Sequence, residues 1–328
     1  MTAALEVDQV LEELRSAQKL LLTTHENPDG DALGSLLGMH LVLTQLGKDS
    51  VMFLGADEFP LPWEYRDMDL HEVQNEPPAD IDERTVVFLD CGNIDRMPVD
   101  FLQRQGVHIV NVDHHHDNTR FGTVNLVDPA ASCTAEIVWE LSKELGVQMT
   151  PEIGDPLYVG LVTDTGKFMY TNTGARAHVM AAELKEAGVN THAIYRRLYE
   201  NLPYARLLLL SRALNSLERY DEGVVTACFL TRADFEQTGS VETHSEGIVD
   251  HLRAVEGTKV AVLVRELLSD DRVGIRKLSL RSTDGTVDVS VIARGLGGGG
   301  HRQAAGASSE LPLDELLATI RQGIQAQL

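Results

Sequence analysis

The sequence is poor in cysteine, in positive charge and in long apolar runs, and each shortage excludes something. Cys91, Cys133 and Cys228 stand far apart and form no CxxC pair. That leaves neither a disulfide framework nor a thiolate zinc site to build on. No apolar stretch approaches the roughly 20 residues of a membrane-spanning helix, and no basic stretch with an apolar run behind it opens the chain as a signal peptide would. These absences point to a reducing cytoplasm and no membrane partner. Lys and Arg number 28 against 50 Asp and Glu, a formal charge of −22. Gripping long nucleic acid by its phosphates takes a broad basic surface. The balance therefore speaks against long DNA and leaves small phosphorylated molecules open. Nor is there an internal repeat or a low-complexity tract.

What is present is a chain of 328 residues with an apolar fraction of 43%, enough for two domains with separate cores. In the first half an amphipathic segment at 7–17 precedes a strand at 20–24. The turn Asn27-Pro28-Asp29-Gly30 and a helix running to Leu46 follow. Further buried strands are expected at 51–54, 86–89 and 107–112. Short apolar runs alternating with helical patterns predict an α/β fold with a parallel sheet and helices on both faces. The stretch 57–83, with four prolines and ten acidic residues, reads as a solvated irregular segment. From Thr173 to about Tyr220 the pattern is helical. Strands resume at 224–230, 259–264, 273–280 and 287–289, and a last amphipathic helix covers 313–328. The expected domains are residues 1–187, a helical connector at 188–218, and a smaller α/β domain with a mixed sheet at 219–328.

Four segments carry chemistry, each at the end of an apolar element. They are Thr24-His25-Glu26-Asn27-Pro28-Asp29-Gly30-Asp31, Leu89-Asp90, Val112-Asp113-His114-His115-His116 and Thr163-Asp164. A single Asp at a strand end is usually a helix cap or turn former, and Asp29 and Asp31 are placed to cap a helix. The joint occurrence changes that reading. Loops at the carboxyl ends of parallel strands converge on one crevice, where these carboxylates would repel one another unless cations held them. Mixed oxygen and imidazole donors suit Mn²⁺, Co²⁺ or Mg²⁺. Two such ions roughly 3.5–4 Å apart clamp a phosphoryl group and activate a water.

These residues resemble the DHH phosphoesterase superfamily, whose triplet stands here as Asp113-His114-His115. The opening motif is His25-x-x-x-Asp29-x-Asp31 followed by Gly34-Ser35, and Asp90 and Asp164 match the second and fourth motifs. The resemblance implies that His25, Asp29 and Asp90 hold one ion. Asp31, Asp90, His114 and Asp164 hold the other, and Asp90 bridges. Two oxygens let a carboxylate bridge, whereas neutral imidazole offers one lone pair. Asp90, Asp113 and His115 are the expected catalytic residues. Asp113 would orient a ligand imidazole through its other ring nitrogen, His115 would touch the phosphate, and His116 is read as solvated.

The second half carries Gly297-Gly298-Gly299-Gly300-His301-Arg302-Gln303-Ala304-Ala305-Gly306, which is similar to the glycine-rich motif of the DHH-associated domain. Residues 276–302 hold five basic side chains against two acidic ones. Arg276 and Lys277 read as a solvated face. By resemblance Arg281 and Ser282 hold a substrate phosphate or base, and guanidinium suits phosphate bidentately. Gly298, Gly299 and Gly300 offer bare backbone to an anion, with His301 and Arg302 beside them. Cleavage would then take place in the cleft between the domains.

Size, two-domain plan and glycine motif together most resemble the NrnA-like group. Its members hydrolyse short oligoribonucleotides from the 3′ end and convert pAp to AMP, and some cleave pApA or cyclic di-AMP. RecJ-like exonucleases are larger, and family II pyrophosphatases lack the GGGH string. The implied cofactors are two divalent cations, Mn²⁺ first. The implied partners are short RNA, pAp or small cyclic dinucleotides, with a homodimer left open. A nucleotide sensor without catalysis is the reading from another class, and it would show missing metal ligands. All six positions are filled.

Overall fold

Five short apolar runs build the sheet that positions the first-half motifs. The computed structural model describes residues 2–97, 99–104, 106–200, 202–300 and 302–328. The chain divides into two units, Met1–Asn201 and Leu202–Leu328. In the first, α1 (Thr2–Ser16), β1 (Lys19–Thr23), α2 (Gly30–Gln45), β2 (Asp49–Met52), β3 (Thr85–Leu89), β4 (Ile109–Asp113) and β5 (Val124–Val127) are followed by four helices. These are α3 (Thr134–Glu144), α4 (Pro151–Asp164), α5 (Ala175–Glu186) and α6 (Thr191–Tyr195). The strands lie in the order β2-β1-β3-β4-β5, every pair parallel. All of β4 and all but the first residues of β1 and β3 are buried, the mark of a sheet covered on both faces. The sequence pattern did not reveal β5, which has four residues with Asn125 among them.

The side on which strands are added reverses between β1 and β3, because β2 lies on one side of β1 and the later strands on the other. That switch point is where an open α/β sheet leaves a crevice outside its carboxyl ends. His25 follows β1 and Asp90 follows β3.

Helices α2 and α4 cross closely, along a row of glycines four residues apart. Gly30, Gly34 and Gly38 face Thr163, Pro156 with Gly160, and Leu157 in turn. A Cβ on Gly34 would run into the Pro156 carbonyl oxygen and lie 2.9 Å from the Gly160 nitrogen. Only bare backbone permits this approach, which brings the start of α2, with Asp31, beside the end of α4, with Asp164.

The stretch 57–83 corrects the expectation of a solvated segment. Its backbone is irregular, with short 3₁₀ turns, yet Met68 and Leu70 are buried and Gln74 bridges to Phe53. The prolines exclude a regular element, but the apolar residues between the acidic ones still seek the core.

The second unit contains α7 (Tyr204–Asn215), β6 (Glu218–Tyr220), β7 (Val225–Leu230), α8 (Arg232–Thr238), α9 (Ile248–Arg253), β8 (Val260–Glu266) and β9 (Arg276–Ser282). It continues with α10 (Val289–Gly295), β10 (Gly299–Gly300), β11 (Ala304–Ser309) and α11 (Leu313–Gln325). The sheet is mixed, in the order β10-β11-β9-β8-β7-β6, with β7 and β8 parallel. One face packs Val262, Leu280, Ile292 and Ile320; the other packs Leu209, Phe235, Ile248 and Leu263. The α/β class and mixed second sheet are those expected. Two local expectations are corrected. Residues 218–220 form a strand rather than the end of a helix. Residues 287–289 lead into α10 rather than forming a strand, because Asp288 accepts the Ser290 N–H as an N-cap. The helices within 188–218 divide between the units: α6 packs on α4, α7 on α8 and β7. No helix among the described residues is long and apolar enough to cross a membrane.

Candidate metal centre

Each predicted donor in the first unit sits where an element ends. Asp29 caps α2, its Oδ1 accepting the N–H groups of Asp31 and Ala32 at 3.0 and 3.1 Å, so the capping role foreseen for it is real. Its carboxylate nonetheless groups with His25 and Asp90, since one oxygen suffices for the cap. The His25 Nδ1–H donates to the Glu26 carbonyl oxygen at 2.7 Å. This leaves Nε2 facing Asp90, 3.6 Å from Oδ2. Asp90 ends β3 with φ of 57°, a left-handed conformation uncommon outside glycine. Its N–H still donates to Val112 O at 3.0 Å, so the chain turns sharply at that residue while remaining anchored to β4.

Asp31, in the first turn of α2, is buried against the start of α3. Its oxygens accept the N–H groups of Thr134 (2.6 Å) and Ala135 (2.9 Å) and the Ser35 hydroxyl (3.2 Å). His114 Nε2 lies 3.9, 3.6 and 3.8 Å from carboxylate oxygens of Asp31, Asp90 and Asp164. Three donor groups result: His25 with Asp29 and Asp90; Asp31 with His114 and Asp164; and Asp90 with His114 and His115. Asp90 and His114 each belong to two of them.

The electrostatics follow from burial and crowding. Burial first, then the charges of Asp90, Asp164 and Asp29, push the Asp31 carboxyl well above its ordinary range. Burial, helped by Asp90 and Asp29 and opposed by His114, raises Asp164 to about 6. Burial also disfavours ionised Asp90, but the close approach of His25 and the charges of His25, His114 and His115 outweigh it, holding Asp90 below the usual carboxylate range. Carboxylates that resist ionising together, set among imidazole nitrogens, match divalent cations in donor chemistry.

Asp113 orients His115 rather than His114. One oxygen accepts the His115 Nδ1–H at 2.8 Å, and the other accepts from Asn118 Nδ2 at 2.6 Å. Burial opposes a charged His115, but the Asp113 hydrogen bond and the charges of Asp90, Asp113 and Asp164 prevail and push it up to about 9. His116 is exposed, as read.

Several supporting residues escaped the sequence. Thr134 donates its hydroxyl to Asp90 Oδ1 at 3.0 Å, and Asn172 Nδ2 donates to Asp164 Oδ2 at 3.0 Å. With Asn118 they fix the carboxylates from distant elements, and isolated Thr and Asn residues give no signal of that.

In the second unit Arg281 lies half-buried on β9, donating from Nη1 to Leu280 O. The Ser282 hydroxyl is buried and has no hydrogen-bond partner. Gly299 and Gly300 form β10 against β11, so the glycine string is in part an edge strand. A Cβ on Gly298 or Gly300 would fall 2.6 Å from the Cα of Ala307 or Ala305, whereas Gly299 faces open space. Exposed Arg302 donates from Nε to Gly285 O at 2.8 Å. His301 lies outside the described residues.

Comparison with known proteins agrees with this geometry. The family model described as the DHH family, N-terminal domain, matches residues 19–161, and the DHHA1 domain model matches 226–326. The bifunctional oligoribonuclease and PAP phosphatase NrnA of Thermus thermophilus is 33% identical, covering 94% of this chain and 90% of that protein. Its namesake from Bacillus subtilis is 28% identical, covering 88% of each. The crystal structure of an exopolyphosphatase-related protein from Bacteroides fragilis superposes with a TM-score of 0.87 at 22% identity, covering 98% of this chain and 96% of that one. With its donor set at the switch point and both domains matched in order, the chain belongs to the DHH phosphoesterase family.

Proposed function

We propose that the protein hydrolyses short oligoribonucleotides and the 3′-phosphate of pAp, with Mn²⁺ as its preferred cation. The observation that carries this reading is the overlap of the donor groups at Asp90 and His114. His25, Asp29 and Asp90 would hold one divalent ion, and Asp31, Asp90, His114 and Asp164 the other. Such a pair, when bound, supplies the charge that lowers the pKa of a water and neutralises phosphoryl oxygens. The chain's own residues do the remainder. Asp113 accepts the His115 Nδ1–H and orients the ring, so that in its protonated form the other ring nitrogen would offer an N–H to a phosphate or leaving oxygen. Arg281, Ser282, the bare backbone of Gly298, Gly299 and Gly300, and the side chains of His301 and Arg302 would hold the substrate. The acidic surface and the names of the NrnA relatives support short substrates over long strands.

The test is steady-state hydrolysis of pAp, a diribonucleotide, a five-nucleotide RNA, cyclic di-AMP and pyrophosphate with Mn²⁺, by the parent and by Asp90→Ala. The expected outcome is turnover of the first three substrates, abolished in the variant while its circular dichroism is unchanged. Near-parental turnover in Asp90→Ala would sink the two-metal mechanism. Preference for cyclic di-AMP would replace the assigned substrate class.

A further inference from the structure

The turn that follows Asp164 carries backbone strain that the donor groups do not explain. Gly166, Lys167 and Phe168 stand one after another in the left-handed region, at φ of 53°, 62° and 66°. For a residue with a side chain this conformation is costly, and it persists only where the surroundings over-determine it. Here they do. The Lys167 N–H donates to Val162 O at 2.8 Å and the Phe168 N–H to Thr165 Oγ1 at 3.1 Å. Lys167 Nζ lies 4.3 Å from the centre of the Tyr199 ring, and Phe168 stacks on His178 with ring centroids 5.1 Å apart. With both of those side chains turned to partners, the turn presents the next two outward: Met169 is 81% exposed and Tyr170 51%.

Tyr170 is held as a fixed surface rather than a loose side chain. Its N–H donates to Thr165 O at 3.0 Å. A Cβ built on Gly166 would stand 2.5, 2.5 and 2.6 Å from Cε1, Cζ and Cε2 of the Tyr170 ring. A point so nearly equidistant from three ring atoms sits over the ring centre, so the ring lies face-on across the glycine. That contact needs the missing side chain, as the left-handed turn does. One face of the ring is thereby covered while half of the residue stays open to solvent. Gly166 is two residues from Asp164, which keeps the two Cα atoms within about 7 Å. Beyond the ring, Asn172 Nδ2 donates to Asp164 Oδ2 at 3.0 Å and to Ser132 O at 2.9 Å, closing the turn around the donor.

We infer that the outer face of Tyr170 is a stacking platform for a nucleobase, placed beside the metal centre to hold the base that adjoins the phosphate under attack. The inference deepens the function proposed above and rests on it. Stacking needs no charge, which suits a wall whose neighbours are carboxylates. It also accepts every base, because each has a π face, and this suits short RNA of mixed sequence.

The experiment titrates the full-length, Mn²⁺-loaded protein calorimetrically with AMP and with ribose 5-phosphate, which keeps the sugar and phosphate and lacks the base. Parent, Tyr170→Ala and Tyr170→Phe are compared. The parent should bind AMP at least about fivefold tighter than ribose 5-phosphate, the lower end of what base–aromatic stacking contributes. Tyr170→Ala should lose that advantage by weakening AMP alone, and Tyr170→Phe, which keeps the ring, should retain it. Mn²⁺ affinity by equilibrium dialysis should be the same in all three. No advantage in the parent, an equal advantage in Tyr170→Ala, or its loss in Tyr170→Phe would overturn the platform. So would weakened Mn²⁺ binding in Tyr170→Ala, which would make the ring a brace for the Asp164 turn. Hydrolysis of pAp by the parent is measured on the same samples. Failure of the platform shows as AMP and ribose 5-phosphate bound alike with hydrolysis intact, and failure of the proposed function as absent hydrolysis.

Discussion

Gly160 on α4 lies directly against Asp31 on α2: a Cβ at position 160 would stand 2.8 Å from Asp31 Oδ1 and 2.7 Å from the Ala135 Cβ. The two donors that His114 joins, Asp31 and Asp164, come from the two helices that meet there. Their proximity depends on a residue that binds nothing.

Gly160→Ala should therefore act on the metal centre through Asp31. The added methyl cannot be accommodated without moving Asp31 or the start of α3, whose N–H groups Asp31 accepts. A tenfold or larger fall in both Mn²⁺ affinity and kcat/KM is expected, in the range seen when groups that support metal ligands are lost. Equilibrium dialysis with a parallel activity assay checks it. Parental metal affinity in this variant would show that the helix crossing does not set the donor geometry.

Asp113 has a different expected signature, because it holds His115 and belongs to none of the donor groups. Asp113→Asn should keep its bound metal while kcat falls roughly 10–100-fold, with a smaller change in KM. Metal content by atomic absorption and a kcat-against-KM comparison on pAp separate this from ligand loss. Depletion of metal in the variant would place Asp113 among the donors instead.

The candidate donor residues stood out in the sequence because chemistry and position coincide in them. His25, Asp90 and Asp113-His114-His115 each close a recognisable apolar strand, and parallel strands send their carboxyl ends to one place. The glycine row was also written at its four-residue spacing, but a sequence does not say which helix will lie across it. Thr134, Asn118 and Asn172 were not legible for a physical reason. Each hydrogen-bonds to partners set by tertiary structure, and nothing local distinguishes them from other polar residues. The 218–220 strand was missed because an exposed edge strand lacks the apolar alternation that marks a buried one. Lys277, read as a solvated charge, is exposed, while its register pairing with Arg265 is invisible before the strands are aligned.

Acid stability should report the network on the far side of the first sheet. Arg84 donates to Asp80 and Asp49, and Lys19 donates to Asp80 and Glu83, tying the 57–83 stretch to β1 and β2. The hydrogen bond from Arg84, then that from Lys19, lowers Asp80 to about 2. A carboxyl depressed on folding stabilises the protein above its unfolded pKa, near 3.9, and loses that contribution as pH falls through its folded value. Asp80→Asn should therefore lower the thermal midpoint at pH 6, and the gap to the parent should close between pH 4 and pH 2. A constant gap across that interval would mean that charge on Asp80 is not what holds the segment.

The glycine string separates into packing and binding roles by position. A Cβ at Gly298 would collide with Gly306 O and Ala307, and one at Gly300, where φ is 133°, with Ala304 O and Ala305. Gly299 has nothing within 4 Å. Gly298→Ala and Gly300→Ala should thus part β10 from β11 and lower stability by about 1–3 kcal/mol, as overpacking does. Gly299→Ala should leave the urea midpoint unchanged and raise KM for pAp and short RNA if its bare backbone meets an anion. Paired urea melts and KM measurements on the three variants give the answer. Were Gly299→Ala to melt early with a parental KM, the string would be an edge strand alone, and phosphate recognition in this unit would have to come from Arg281 and its neighbours on β8 and β9.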